Sequence, residues 1–182
     1  MSSLRPDHPA IQTLQAATNI PVAGMVHAAR LQYQTTHTES DSSRVRTYES
    51  IRQGYRYEPY LSDFQHPQLK RTLTRFRCGD HNLQIESGHK AKSGLVPYYE
   101  RRCKLCNLDA IESEDHFLTV CPALQHLRDK YQSRLPLSST TTWVDVMRCQ
   151  DYISVSKYIA ECSSARQTIL NHLESSNGAS AP

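Results

Sequence analysis

The residues of this sequence best placed to do chemistry are three cysteines and a histidine between positions 103 and 121. Two residues separate Cys103 from Cys106, and His116 and Cys121 follow in the stretch CKLCNLDAIESEDHFLTVC. Three thiolates and an imidazole complete a tetrahedral set of Zn²⁺ ligands and leave no position for a catalytic water. The spacing therefore predicts a structural zinc site. A group of reduced, buried thiols that bind no metal is the alternative interpretation.

Two local signals indicate how the chain positions His116 and Cys121. Ser113 is a suitable N-cap for a helix that begins with acidic residues and carries His116 in its first turn. In an unbroken α-helix, Cys121 would lie about 140° around the axis from His116, so the two ligands would diverge. Pro122 disfavours α geometry at the preceding residue and suits the first position of a new helix. The sequence thus predicts a break at Cys121 that turns its sulfur back toward the site.

The elements around this site predict a small, mainly α-helical domain with a zinc-knuckle turn and little or no β structure. The clearest amphipathic helix is HPQLKRTLTRFR (66–77), in which Pro67 suits the first position and Leu69, Leu73 and Phe76 share one face. The last helix, 151–173, should turn the following residues toward the core: Ile153, Tyr158, Ile159, Cys162, Ile169 and Leu173.

The predicted organisation has three parts. Residues 1–42 form a poorly defined segment of weak helices and linker, and residues 43–173 form the helical region, with 98–131 as its zinc-binding core. Residues 174–182, in the sequence ESSNGASAP, are predicted to be a disordered tail. Whether the first forty residues fold, and in what oligomeric state the chain exists, does not follow from the sequence.

Charge is unevenly distributed along the chain, although the formal net charge is only +3. Basic residues outnumber acids from residue 66 to 104, and acids follow up to Cys121. A basic segment that leads into a zinc turn is typical of a nucleic-acid contact, with a solvated helix face as the alternative. The predicted phosphate contacts are Lys70, Arg71, Arg75, Arg77, Arg101, Arg102 and Lys104. Tyr98 and Tyr99 would either stack on unpaired bases or pack beneath the turn.

Several classes of function are not supported by the motifs of this sequence. The chain has no G-x-S-x-G, Walker A or H-E-x-x-H motif, and its aspartates are scattered, so we expect no enzyme activity. The N-terminal MSSLRPDHPA lacks the apolar core of a signal peptide, and no apolar run is long enough to span a membrane. We therefore expect an intracellular protein of the nucleus or cytoplasm, not a secreted one.

Four blocks of the sequence occur in a fixed order over about residues 42–131: SSRVRTY, YEPYL, LKRTLTRFRCGDHNLQIE and ERRCKLCN…IESEDHFLTVCPALQHLRDKY. Together they resemble the C-terminal zinc-binding region of non-LTR (LINE-type) retrotransposon reverse transcriptases. The later WVDVMRCQDYISVSKYIAEC is similar to the helical tail that often follows in that family. One position departs from the family pattern, because Cys78 stands where a small hydroxyl residue is usual.

This resemblance implies a metal site, a fold and a role. The family's four zinc ligands fall on Cys103, Cys106, His116 and Cys121, and its basic block falls on Arg75, Arg77, Gly79, His81 and Leu83. The region is expected to hold RNA or DNA without catalysing a reaction. Which of the two it binds, and with what sequence preference, is not determined. The alternatives are a zinc-stapled helical domain that binds a protein through its C-terminal helix, and a retroelement remnant without a selected function.

Overall fold

In a computed structural model of the chain, the described residues are 43–54, 57–63, 65–88 and 94–178. They belong to one compact unit that begins at Ser43. The predictions for residues 1–42 lie outside the described residues. The described part is mainly α-helical, as predicted, and its only β feature is an isolated antiparallel bridge between Arg102 and Ile111.

The described residues contain seven α-helices and three 3₁₀ or π-helical turns. The α-helices are α1 (Ser43–Ile51), α2 (Tyr60–Asp63), α3 (Pro67–Arg77), α4 (Gln84–Ser87), α5 (Gln125–Tyr131), α6 (Trp143–Arg148) and α7 (Tyr152–Gly178). The short turns are the 3₁₀ turns Tyr98–Glu100 and Pro122–Leu124 and the π-helical turn His116–Val120. The short turns all lie next to the predicted metal ligands, so irregular helix is concentrated where the site forms.

Helix α3 begins and ends as its sequence predicts. Pro67 occupies its first turn, and Leu73 and Phe76 are buried. At the other end Gly79 has φ 66°, its N–H donates to Phe76 O at 3.1 Å, and the Asp80 N–H donates to Arg75 O at 2.8 Å. This pair of bonds is a Schellman cap, which requires a left-handed residue that glycine supplies with little strain. The cap turns the chain so that residues 80–83 lie beside the helix.

Helix α7 packs along α3, and the two form the largest contact between helices. Tyr158, Ile159 and Cys162 are buried, as predicted, and Tyr158 stacks at a tilt on Tyr131 of α5 with 5.4 Å between ring centroids. The prediction for the ends of the apolar face is wrong, because Ile153 and Leu173 are 41% and 42% exposed. The helix also continues past residue 173 to Gly178, into the segment predicted to be a disordered tail.

A capping box starts helix α6 at Thr142. Thr142 Oγ1 accepts a hydrogen bond from the Asp145 N–H, and Asp145 Oδ2 accepts one from the Thr142 N–H at 2.9 Å. The Trp143 N–H donates to Asp115 Oδ1 at 3.0 Å, which ties the start of α6 to the segment that carries His116. In the described part of the chain, every helix is too short or too polar to cross a membrane.

Candidate metal centre

The four predicted metal ligands meet at one point. One side-chain atom from each of Cys103, Cys106, His116 and Cys121 lies within 4.8 Å of every other. Cys103 Sγ is 3.9 Å from Cys121 Sγ, and Cys106 Sγ is 3.4 Å from His116 Nε2. Cys103, His116 and Cys121 are buried and Cys106 is half-buried. These four residues could therefore hold a metal ion at the base of the turn.

A tight reversal of the chain brings the first cysteine pair to the site. The Cys103 N–H donates to Ala110 O at 2.8 Å, and the Glu112 N–H donates to Arg101 O at 2.9 Å. Between these bonds Asp109 adopts φ 52°, which is left-handed backbone that aspartate tolerates better than most residues. The short ladder and this turn place Cys103 and Cys106 on the inner side of a loop, opposite the segment that carries His116.

A π-helical turn places His116 and Cys121 on the same side. Ser113 is the N-cap, as predicted, since its Oγ accepts a hydrogen bond from the His116 N–H at 3.2 Å. The Cys121 N–H donates to His116 O at 2.7 Å, which is the i→i+5 bond of a π-helix. The wider turn reduces the divergence that an α-helix would impose. Pro122 begins the following 3₁₀ turn. Cys121 has a ψ of 116°, which lies outside the α region and agrees with the predicted break before the proline.

Side chains from two later helices satisfy the carbonyl groups that this irregular turn leaves free. The Tyr158 hydroxyl of α7 donates to Leu118 O, and Arg128 Nη2 of α5 donates to Cys121 O. Arg128 Nη2 also reaches Val120 O at 3.4 Å. Both side chains are buried, where an unpaired carbonyl would cost free energy. Sequence reasoning placed Tyr158 in the core without assigning it this contact, and it missed Arg128, because no local pattern distinguishes a buried arginine in an amphipathic helix from a solvated one.

The two closest thiols do not ionise independently. The contact with Cys121, together with burial, raises the pKa of Cys103 to about 12. The same contact lowers the pKa of Cys121. Among the protein groups alone, Cys121 therefore loses its proton at lower pH than Cys103 does. Binding of a cation would release the remaining protons, since thiolates are the ligating form.

Three buried glutamates surround the metal turn and connect it to distant helices. Glu112 accepts two hydrogen bonds from Arg166 of α7, from Nε at 2.8 Å and from Nη2 at 2.9 Å. Its Oε2 also accepts from the Gln84 N–H at 2.8 Å. Glu86 Oε1 accepts from Arg46 Nη2 at 3.2 Å. Each of these two buried carboxylates is paired with an arginine, as burial of a charge requires, although Arg166 is buried and Arg46 is 44% exposed.

Glu114 is the third of these glutamates and lies at the junction of three segments. It accepts hydrogen bonds from Arg46 Nη2 and Thr47 Oγ1, each at 2.9 Å, and lies 3.4 Å from His81 Nε2. Burial by itself would raise the pKa of Glu114, but His81 and Arg46 outweigh it and lower the pKa to about 2. Glu114 is therefore a carboxylate that holds α1 and the 80–83 segment against the metal turn.

The structure removes two arginines from the predicted phosphate-binding set. Arg77 is 4% exposed, donates to Met147 O at 2.8 Å and to Glu58 Oε2 at 2.9 Å, and lies over the ring of Tyr60. Arg101 is also 4% exposed and donates to Val96 O and Ile85 O, each at 2.9 Å. The prediction that these two arginines contact nucleic acid is corrected, because their charges and donors are used inside the protein.

The other predicted basic residues remain at the surface. Arg71, Arg75, Arg102 and Lys104 are exposed, and Lys70 is half-buried with its Nζ 2.8 Å from Leu61 O. Arg75 pairs with Asp80, and Arg102 pairs with Asp109. Tyr98 and Tyr99 are 61% and 64% exposed, so the alternative in which they pack beneath the turn does not hold. Five basic groups and two tyrosine rings are therefore accessible.

The comparisons with known proteins leave the family open. No protein-family model, no curated protein and no solved structure matches this chain. The identity of the site consequently depends on its own geometry, which is that of a four-ligand Cys₃His group that could hold a metal ion.

Proposed function

We propose that this chain is a non-catalytic Zn²⁺-binding module that binds RNA or DNA through the basic surface beside its metal turn. The observation that carries the proposal is the convergence of four ligand atoms within 4.8 Å. The ligands come from a reversed loop and from a π-helical turn, two separate pieces of backbone that meet only through specific local structure. Buried thiols without a metal-binding role would not require such an arrangement.

The donor set and its spacing favour zinc over other metals. Soft thiolates and an imidazole suit Zn²⁺, whereas Mg²⁺ and Ca²⁺ prefer oxygen ligands. Two sulfurs at about 2.3 Å from one tetrahedral ion lie about 3.8 Å apart. The Cys103–Cys121 separation of 3.9 Å agrees with this geometry. Four protein ligands fill the coordination sphere, so the ion would stabilise the fold and activate no water.

Exposed charge and exposed aromatic rings support nucleic-acid binding. The accessible basic residues are Lys70, Arg71, Arg75, Arg102 and Lys104, which can neutralise phosphates by releasing counterions. Tyr98 and Tyr99 lie on the 3₁₀ turn that leads into the metal loop, and exposed tyrosines can stack on unpaired bases. Large exposed rings beside a basic loop are typical of single-strand contacts.

Descent from a retrotransposon reverse transcriptase is part of the same proposal. Arg46 and Thr47 belong to the block SSRVRTY, His81 to GDHNL, and Glu114 to ESEDHFL. These three blocks meet in one network around the buried Glu114 carboxylate. Because residues of the three blocks contact one another in the fold, there is a physical reason for the blocks to occur together. These contacts support the proposal that the whole set of blocks, and not one motif alone, resembles the reverse-transcriptase region.

The test combines metal content with a binding measurement. We expect one zinc per chain by native mass spectrometry, and affinity for a fluorescein-labelled oligouridylate that falls steeply as salt is raised. The double variant Arg71→Ala/Arg75→Ala should keep its zinc and its helical content and lose RNA affinity. The matched control Arg134→Ala/Lys157→Ala removes the same charge from exposed residues outside the predicted set and should bind nearly as the wild type does.

Three results would overturn the proposal. The first is a purified, folded protein without metal, and the second is RNA binding that does not depend on salt. The third is an equal loss of RNA binding in the two double variants, because that would reflect net charge alone. If the oligonucleotide binds no better than heparin, the nucleic-acid part of the proposal fails while the zinc part stands.

One observation favours a protein partner as a second candidate. Helix α7 carries Leu173 at 42% exposure, and Ile169 and Leu170 are only half-buried on the same stretch. An exposed apolar stripe at a helix end can bind the groove of another protein. For this role, Leu173→Glu would abolish the binding of a partner without changing RNA affinity. Under the first proposal the arginine variants change RNA affinity and Leu173→Glu has no effect.

A further inference from the structure

A polar groove lies between α3 and α7, apart from the metal ligands. Its cavity volume is about 470 Å³, enough for a nucleotide-sized group. One wall is the face of α3, the other is the middle of α7, and the floor is the segment that follows the α3 cap. The polar side chains that matter here are Arg71, Arg75, His81, Asn82, Arg166 and Gln167.

The groove carries a surplus of positive charge. Arg71, Arg75 and Arg166 line it, and Asp80 is the one acid among its lining residues. Arg75 pairs with Asp80, and Arg166 gives Nε and Nη2 to Glu112. Arg71 has no ion-pair or hydrogen-bond partner among the described residues. The Nη1 atom of Arg166 also has none among them. Guanidinium donors thus remain available in the groove after the internal pairs are formed.

His81 in the groove has a buried nitrogen without a partner. Its side chain is 9% exposed, its ring lies 4.8 Å from that of Phe76, and its Nε2 is 3.4 Å from Glu114 Oε1. Nδ1 is buried and has no hydrogen-bond partner among the described residues. Leaving such an atom unpaired costs free energy, so a group that bonds it on binding would be favoured.

We infer that the α3–α7 groove binds a phosphate group of a nucleic-acid strand. Planar guanidinium groups match phosphate oxygens, an imidazole N–H can add a donor, and the amides of Asn82 and Gln167 can bond a sugar hydroxyl or a base edge. The positive charge of the arginines disfavours binding of a cation, and the polar lining disfavours binding of an apolar ligand. The inference rests on the proposed nucleic-acid function and locates the strand on a surface that includes α7.

The test introduces negative charge into the groove at exposed positions of α7, where the substitutions should not disturb folding. Ser163 and Gln167 line the groove from exposed positions on α7, so Ser163→Glu/Gln167→Glu should fold normally. The matched control is Ser164→Glu/Thr168→Glu, which has the same spacing on the same helix. Ser164 and Thr168 are exposed and are not lining residues of the groove. Both variants change the net charge equally.

Fluorescence anisotropy with labelled oligouridylate is the first measurement. We expect the groove variant to lose at least about tenfold in affinity and the control to change by less than about threefold, since charge near a bound phosphate acts more strongly than distant charge. Equal losses in both variants, with wild-type binding intact, would overturn the groove inference. The proposed function would then survive with a different contact surface.

NMR of the His81 imidazole is the second measurement, with inorganic phosphate, ATP and the oligouridylate as separate probes. We expect the oligouridylate to shift the His81 resonances in the wild type and in the control, and not in the groove variant. If the wild type binds no RNA but phosphate or ATP shifts His81, the groove binds free phosphate groups and the proposed function fails. If no probe shifts His81, the groove inference is overturned.

Discussion

The metal centre and the α3–α7 groove differ in how their residues are spaced along the chain. All four metal ligands lie between Cys103 and Cys121, and turns between neighbouring residues bring them together. The groove joins residues 68–83 to residues 159–167, which meet only when α7 packs on α3. Local pattern was therefore enough to predict the cluster of three cysteines and a histidine, and it could not predict the groove.

The same comparison explains why some of the predicted basic residues are exposed and others are buried. Charge density along residues 66–104 predicted a single phosphate-binding set. Tertiary packing divides that set into exposed residues such as Arg71 and buried ones such as Arg77 and Arg101. Packing also brings in Arg166, which no charge cluster had indicated. The basic residues that line the groove thus come from two helices, α3 and α7, and not from one continuous segment of sequence. The following variants test how the metal centre and the groove depend on each other.

The largest effect should come from removing the metal. A structural zinc contributes about 10–16 kcal/mol of apparent binding free energy at neutral pH, so chelation or Cys121→Ser should unfold at least residues 98–131. Cys78→Ser, at an exposed cysteine outside the site, is the control and should keep one zinc per chain. Metal content by mass spectrometry and circular dichroism measure the outcome. A Cys121→Ser protein with native zinc content would refute the assigned ligand set.

The Glu112–Arg166 pair links the two regions and should produce the next largest effect. Glu112→Gln leaves Arg166 buried with an uncompensated charge, which costs about 3–5 kcal/mol in the free energy of unfolding. The double variant Glu112→Leu/Arg166→Met removes both charges and should recover much of that loss. Urea denaturation of the zinc-loaded proteins measures both. If the double variant is less stable than Glu112→Gln, the pair is not the reason for the loss.

Arg77 and Arg71 test the division of the basic helix into buried and exposed residues. Arg77→Ala breaks hydrogen bonds to Glu58 and Met147 and should lower the free energy of unfolding by about 3 kcal/mol. Arg71 has no internal partner among the described residues, so Arg71→Ala should change the free energy of unfolding by no more than about 0.5 kcal/mol. Thermal denaturation distinguishes them. Equal effects on stability would contradict the division.

Tyr158 tests whether α7 supports the metal turn. Tyr158→Phe removes the hydroxyl that donates to Leu118 O and should cost about 1–3 kcal/mol, because the buried carbonyl is left unpaired. Burial raises the pKa of Tyr158 far above its ordinary value, so the hydroxyl remains a donor throughout the neutral range. Zinc affinity by competition with a chelating dye should fall as well. Unchanged stability and affinity would mean that the π-helical turn does not need this contact.

The smallest effect should come from the exposed ion pair between Lys130 and Glu161. Hydrogen bonding to Lys130 lowers the pKa of Glu161 from 4.5. The pair therefore stabilises the fold above pH 4.5, and its contribution is lost as pH falls through the lower folded-state value. Lys130→Ala should cost at most about 1 kcal/mol at neutral pH, less in high salt and nothing in acid. A loss that persists at pH 3 would contradict this origin.

Much of the fold followed from short-range signals. Pro67 and the Cys78-Gly79 end defined α3, Thr142 started α6, and Ser113 and Pro122 bracketed the turn that carries His116 and Cys121. These signals act within one or two turns of backbone, so the sequence carries them directly. The end of α7 was harder to predict, because the helix continues to Gly178 through the residues ESSNG, which have neither apolar periodicity nor strong helix propensity.

The sequence by itself determined the four candidate metal ligands, the helical class and several helix boundaries, because each depends on residues a few positions apart. Tertiary structure alone decided which charges are buried and which are free. The partners of Glu112 and Glu114 lie on α7 and α1, and the unpartnered nitrogen of His81 appears only when those helices close around it. Burial sets the cost of a charge or an unpaired donor, and burial is a property of the packed chain.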